Sequence, residues 1–255
     1  MAAMMNGLAL YGGFVPYGGT FLCFSDYLRP ALRLSSLMHL RVIYVFSHDS
    51  IGLGEDGPTH QPIEHLASLR AMPNHLVFRP ADAVETLECW QLALQAEKTP
   101  SSLVLTRQDL PCLRFYYEED NICSFGAYEL KTARAAAKVT LFASGSEVAI
   151  AAEAHDMLEE KGIGCRVISV PCFKLFAAQS ESYQKELIGT TPIKIAIEAA
   201  VKQGWESFIG EEGVFIGLDD FGLSAPAKDL YQHFGLTSAR IVEEVEKRLA
   251  QEEEN

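Results

Sequence analysis

The densest run of reactive side chains is His48-Asp-Ser-Ile-Gly-Leu-Gly-Glu-Asp-Gly-Pro-Thr-His-Gln-Pro62. Two imidazoles, His48 and His60, titrate near neutral pH and are suited to passing protons, and Glu55 and Asp56 offer acceptors for hydroxyl groups. Gly52, Gly54 and Gly57 satisfy G-x-G-x-x-G, the spacing of a dinucleotide loop. Pro58 and Pro62 interrupt the helix whose N-terminus would receive a pyrophosphate, so that reading is rejected. His48 and His60 stand twelve apart with no cysteine nearby, which matches no compact zinc ligand pair. The competing bland reading is a loop whose polar groups only cap neighbouring elements.

Three other places bear on chemistry. Arg107 ends the apolar run Ser102-Leu-Val-Leu-Thr, where a guanidinium suits a phosphate or carboxylate through two parallel hydrogen bonds; a structural salt bridge is the alternative. Phe21, Phe24 and Tyr27 stand three apart, a spacing that by default means core packing and otherwise a flat aromatic surface. Ser144-Gly-Ser-Glu147 looks like a strand-to-helix turn, yet it lacks G-x-S-x-G, and a helix N-cap explains it better than a nucleophile.

The elements that must position these residues follow from periodicity. Met1 to Tyr11 reads as a helix stopped by Gly12-Gly13, and Phe14 to Tyr17 as a short extended piece. From Thr20, apolar residues at three- and four-residue spacing predict a helix of about 20 residues that Pro30 kinks or divides. Arg41 to Phe46, Leu76 to Phe78 and Ser102 to Thr106 read as buried strands, with a helix over Ala83 to Gln95. Strands end at one edge of a parallel sheet, so Arg107 and the His48 loop would face one crevice. After an irregular stretch the alternation resumes: strands at 139–143, 166–170, 194–199 and 214–218, helices at 147–160, 226–234 and 239–251. The chain is therefore α/β, with two domains each built on a mainly parallel sheet flanked by helices. The predicted division is 1–115, a linker over 116–136, and 137–255, with Glu252 to Asn255 as a solvated tail.

The 255 residues are 48% hydrophobic and 22% charged, a globular composition. Net charge is −13, with 7 basic and 10 acidic residues up to Leu110 and 14 and 24 beyond it. No basic footprint for nucleic acid or anionic lipid is present, and no run is apolar enough for a membrane span. Six cysteines without CxxC pairs point to reduced thiols and a cytoplasmic location. The start lacks the basic region of a secretory signal.

The string Ser47 to Pro62, with Leu66-Ala-Ser-Leu-Arg70 behind it, closely resembles the transketolase family. So do Asn6-Gly-Leu-Ala-Leu-Tyr-Gly-Gly-Phe14, Leu105-Thr-Arg-Gln108, Ala143-Ser-Gly-Ser-Glu-Val148 and Phe221-Gly-Leu-Ser-Ala-Pro226. The resemblance spans nearly the whole chain and implies the pyrimidine-binding and C-terminal domains of an enzyme that moves a two-carbon ketol unit from ketose phosphates to aldose phosphates in the pentose phosphate pathway. It implies thiamine diphosphate, an electron sink while a C–C bond breaks, of which this chain would hold only the pyrimidine end. Mg2+ and the diphosphate would belong to an N-terminal domain that the chain does not match, as would the family's catalytic glutamate, which would stand three positions before residue 1. The chain alone is thus expected to be inactive. By the same resemblance, Phe21 would stack on the pyrimidine with Phe24 and Tyr27 lining its pocket, and His60 would transfer protons at the reacting hydroxyls. Asp56 would bond a substrate hydroxyl, and His48 and Arg107 would hold the sugar phosphate. A homodimer is expected. The alternatives are a deoxyxylulose-phosphate synthase or dehydrogenase E1 β-type thiamine enzyme, which Asp56-Gly-Pro-Thr-His-Gln61 alone also resembles, and a non-catalytic assembly fragment.

Overall fold

The computed structural model describes residues 1–116 and 118–253; Tyr117 and the end of the expected acidic tail, residues 254–255, lie outside it, as do the side chains of residues 252 and 253. The first sheet is fully parallel, in the order β1-β2-β4-β3, from β1 (Tyr17–Phe21), β2 (Ile43–Ser47), β3 (Leu76–Phe78) and β4 (Ser101–Val104). α1 (Ala2–Tyr11), α2 (Ser25–Leu37), α3 (His65–Arg70) and α4 (Ala83–Gln95) flank it. β2 is apolar on both faces because helices cover both. Val42, Tyr44 and Phe46 pack with Leu22, Leu32 and Leu66, while Ile43 packs with Phe78, Cys89 and Leu103 on the other side.

The second sheet has the order β5-β7-β6-β8-β9, from β5 (Tyr128–Lys131), β6 (Ala137–Ala143), β7 (Gly164–Ser169), β8 (Ile193–Ile197) and β9 (Val214–Ile216). Only β5 runs antiparallel. α5 (Glu147–Glu160), α9 (Ala227–His233) and α10 (Ser238–Glu253) cover one face. α6 (Phe173–Ala177), α7 (Glu181–Ile188) and α8 (Glu206–Ile209) contribute to the cluster of Phe142, Ile168, Trp205 and Phe208 on the other. All six cysteines are unpaired thiols, five of them buried.

Two predicted elements differ. The helix expected from Thr20 begins at Ser25, because Thr20 and Phe21 finish β1, whose register pairs Phe21 with Ser47. Apolar residues three apart serve a strand end and a helical turn equally well, and the hydrogen-bond ladder with β2 decides. Pro30 lies inside α2 without dividing it. The stretch 116–136, expected to be irregular, contains a short 3-10 turn at Ile122–Phe125 and then β5. Gly126 between them has φ +78°, and a Cβ there would stand 2.1 Å from the Phe176 nitrogen, so only glycine fits this turn.

The two units interlock. Ile51 and Ile63, on either side of the histidine loop, are buried in the core of the second unit, and Ala200 is buried in that of the first.

Candidate functional site

The parallel register fixes the site. β1 and β2 end side by side, so Phe21 stands against Ser47, and His48 follows at once in the left-handed region (φ +58°). That backbone turn lays the imidazole on the Phe21 ring, with centroids 3.6 Å apart and planes 19° from parallel. The 3-10 turn Leu22–Phe24 carries the chain onward, so the Phe24 ring lies 6.0 Å from Phe21 and meets the edge of His60 at 5.7 Å. Tyr27, in the first turn of α2, is 6.2 Å from Phe24 and 84% exposed. The structure thus brings Phe21, Phe24, Tyr27, His48 and His60 into one aromatic group at the carboxyl edge of the sheet.

Nδ1 of His48 pairs with the Ser47 hydroxyl and Nδ1 of His60 with the Thr59 hydroxyl, both at 2.9 Å. Nε2 of each ring has no partner among the described residues. Burial lowers the pKa of His48 and nearby Arg107 lowers it further, against Asp56 and Asp49, which raise it. His48 is therefore mostly neutral at pH 7, and the positive charge expected of the His48 and Arg107 pair comes from Arg107. Arg107 is exposed and makes no hydrogen bond or ion pair among the described residues, so no salt bridge within them accounts for it. Asp56 is exposed on the same loop.

The loop itself is tightly held. Ser50 Oγ accepts from the Gly52 amide at 3.2 Å, and Gln61 Nε2 donates to the carbonyls of Gly54 and Leu223 at 2.8 and 2.9 Å. Ser224 Oγ donates to the Glu55 carbonyl at 2.5 Å. A Cβ on Gly52 would meet the Gln108 amide at 1.9 Å, so the first glycine admits a side chain of the β4 loop rather than a phosphate. α3 begins only at His65, eight residues after Gly57, so the helix that follows the glycines in sequence does not open on them; it is the start of α9, at the Ala227 amide, that packs beside Gly54.

Behind the loop lies a buried ionic cluster that sequence reasoning missed. Arg79, 1% exposed, bonds Asp49 at 2.9 Å, Glu147 at 2.5 Å and the Ser144 carbonyl at 2.8 Å. Arg70 holds both oxygens of Glu198 at 2.7 Å, and Trp205 Nε1 and Ser144 Oγ donate to the same carboxylate. Tyr231 OH donates to Glu147. Burial opposes the charge on Arg79, but Glu147, Asp49 and Glu198 outweigh it and raise its pKa. Burial likewise favours protonating Glu198, and Arg70, Arg79 and Ser144 instead hold its pKa down to about 2. The Ser144-Gly-Ser-Glu147 turn serves this cluster. Ser146 makes no side-chain cap at α5 and donates to Glu147 instead, which corrects the N-cap reading. The available signal was an acid inside an apolar strand run, Ile197-Glu-Ala, and an arginine after Phe78.

A parallel α/β unit with paired histidines and aromatic rings at its carboxyl edge, wedded to a second α/β unit, defines a ligand-site class of open-sheet protein. Residues 1–112 match the transketolase pyrimidine-binding domain and residues 126–237 the transketolase-like C-terminal domain. The chain belongs to the transketolase family. It is 56% identical over 245 residues to a transketolase of Sinorhizobium medicae, covering 96% of this chain and 35% of that one. A crystal structure described as a transketolase complex with sedoheptulose-7-phosphate from Pichia stipitis superposes with TM-score 0.91 at 40% identity, covering 100% of this chain and 37% of that chain. One described as a split-gene transketolase, inactive β4 tetramer, superposes with TM-score 0.79 at 27% identity, covering 97% and 80%. The chain spans little more than a third of the length of the curated relatives it matches.

Proposed function

We propose that this chain is the pyrimidine-binding and C-terminal part of a thiamine-diphosphate-dependent transketolase that moves a two-carbon ketol unit between sugar phosphates. The observation that carries the reading is the group Phe21, Phe24, Tyr27, His48 and His60 at one sheet edge. Half-buried Phe24 and exposed Tyr27 offer flat apolar surface that fits an aminopyrimidine, while one face of Phe21 is taken by His48. When bound, the cofactor supplies an electron sink for C–C cleavage. The chain's own residues act on the sugar: His60 moves a proton at a reacting hydroxyl through Nε2, Asp56 orients a second hydroxyl, and Arg107 with neutral His48 holds the phosphate. The diphosphate and its Mg2+ fall to the part of the relatives that this chain does not match, so ketol transfer belongs to the complete assembly. We take residues 1–115 and 137–255 as the two functional units, with 116–136 joining them and lending β5 to the second sheet. We place the assembly in the pentose phosphate pathway of the cytoplasm, in keeping with its unpaired thiols.

A homodimer through α1 is part of this reading. Met4, Leu8, Tyr11 and Phe14 are all exposed on or beside a helix that carries no charge. The test is to combine the chain with the remaining domain of a close relative and assay xylulose 5-phosphate with ribose 5-phosphate, against pyruvate. Turnover of the sugar pair is expected, and turnover of pyruvate alone would favour the deoxyxylulose-phosphate synthase class. Sedimentation should show a dimer, and a strict monomer at high concentration would remove that part of the proposal.

A further inference from the structure

A cavity of about 330 Å3 opens at the seam between the two units, between α3 and α6, and shares no lining residue with the His48 loop. Its size is at the lower end for small-molecule sites. Ala67, Ala71, Val77 and Phe173 make most of the wall apolar. The polar groups in it are unequal. His75 is fully buried, its two nitrogens pair with Ser36 and Ser102, and burial lowers its pKa to about 3, so it is neutral. Arg70 stacks 3.9 Å from the Phe173 ring and is neutralised by Glu198, but its buried Nε has no partner. Lys174 Nζ donates to the Met72 carbonyl at 2.7 Å and has no carboxylate partner among the described residues. One half-buried cation therefore stands unbalanced in an apolar recess, beside an arginine donor that is also unmatched. The unbalanced cation carries a free-energy cost that a suitable anion relieves, whereas Arg70 Nε is enclosed and out of a ligand's reach.

We propose that this seam cavity binds a small monocarboxylate with an apolar body, its carboxylate on Lys174 Nζ and its body against Phe173 and Val77. A single head charge matches the single unbalanced cation, and beyond the groups already named the lining offers one further side-chain donor, the amide of exposed Gln203. Because α3 belongs to one unit and α6 to the other, the bound acid bridges the seam and stabilises the pairing of the units in proportion to its occupancy.

Benzoate is the probe and benzamide its neutral isostere, titrated at constant ionic strength and followed by calorimetry and thermal unfolding of this chain. Benzoate should bind saturably in the millimolar range and raise the Tm, with benzamide about tenfold weaker or more. Lys174→Gln, which keeps a donor for the Met72 carbonyl, should erase the difference between the two probes. Ala177→Phe, at the exposed mouth, should block both while leaving the circular dichroism unchanged. Benzoate binding no better than benzamide, equal benzoate affinity in Lys174→Gln, unaltered binding in Ala177→Phe, or no saturable binding at all would each overturn the proposal.

Discussion

Arg107 and His60 differ in what surrounds them, and so in what their removal should do. Arg107 is an exposed cation with no hydrogen-bond or ion-pair partner among the described residues, and so is open to a ligand phosphate. In the complete enzyme, Arg107→Ala should lower kcat/KM for phosphorylated sugars by about 2 to 4 kcal/mol and leave non-phosphorylated acceptors nearly untouched. His60 is half-buried against Phe24 with Nε2 free, the arrangement of a proton carrier. His60→Ala should therefore slow both substrate kinds, by about 10²-fold. Steady-state kinetics with both acceptor kinds checks the pair, and equal losses with Arg107→Ala would assign the arginine to structure. As candidates these two residues were legible because a loop rich in titratable groups and an arginine closing a strand are both local signals. The lowered pKa of His48 was not, since it depends on burial and on Arg107, which is 59 positions away.

At the scale of the elements, the histidine loop is clamped from two sides, and Gly52 is where the clamp is tightest. Gly52→Ala drives a Cβ into the Gln108 amide and should destabilise the chain by about 1 to 3 kcal/mol. The obstacle is the end of one side chain, so adding Gln108→Ala should recover most of the loss; urea unfolding of the single and double variants measures the coupling. Elements with local determinants were readable in advance. α4 starts where Asp82 accepts from the Glu85 amide at 2.9 Å, and α4 and α5 have the predicted ends. The start of α2 was not readable, because pairing between β1 and β2 overrides a helical spacing. β5 is only four residues long and takes its strand form from β7. The ionic cluster was the least legible part: its ion pairs join residues 30 to 128 positions apart, and no spacing rule reaches so far.

For the whole molecule, stability should depend on pH through two buried groups whose windows open at different pH and overlap only below about pH 4.5. His75, with a pKa near 3, stays neutral in the fold while the unfolded chain takes up a proton below about pH 6.5. The unfolded state binds more protons in that range, so stability falls with pH from 6.5 toward 3, by on the order of 2 kcal/mol at pH 5. Glu198, held near 2, adds its own loss only below about pH 4.5. Urea midpoints at pH 7 and pH 5 should therefore differ less in His75→Gln than in the parent chain, and an unchanged difference would assign the loss to other groups. The cluster beneath the histidine loop has a genealogical consequence as well. Arg70, Arg79 and Asp49 come from one unit, Glu147 and Glu198 from the other, and all five are largely or wholly buried. A recombination breakpoint between the two sheets would leave each product with charge that only the other can balance, at several kcal/mol per stranded ion. Exchange with any chain that lacks the matching ions would therefore have to carry the two units together as one block.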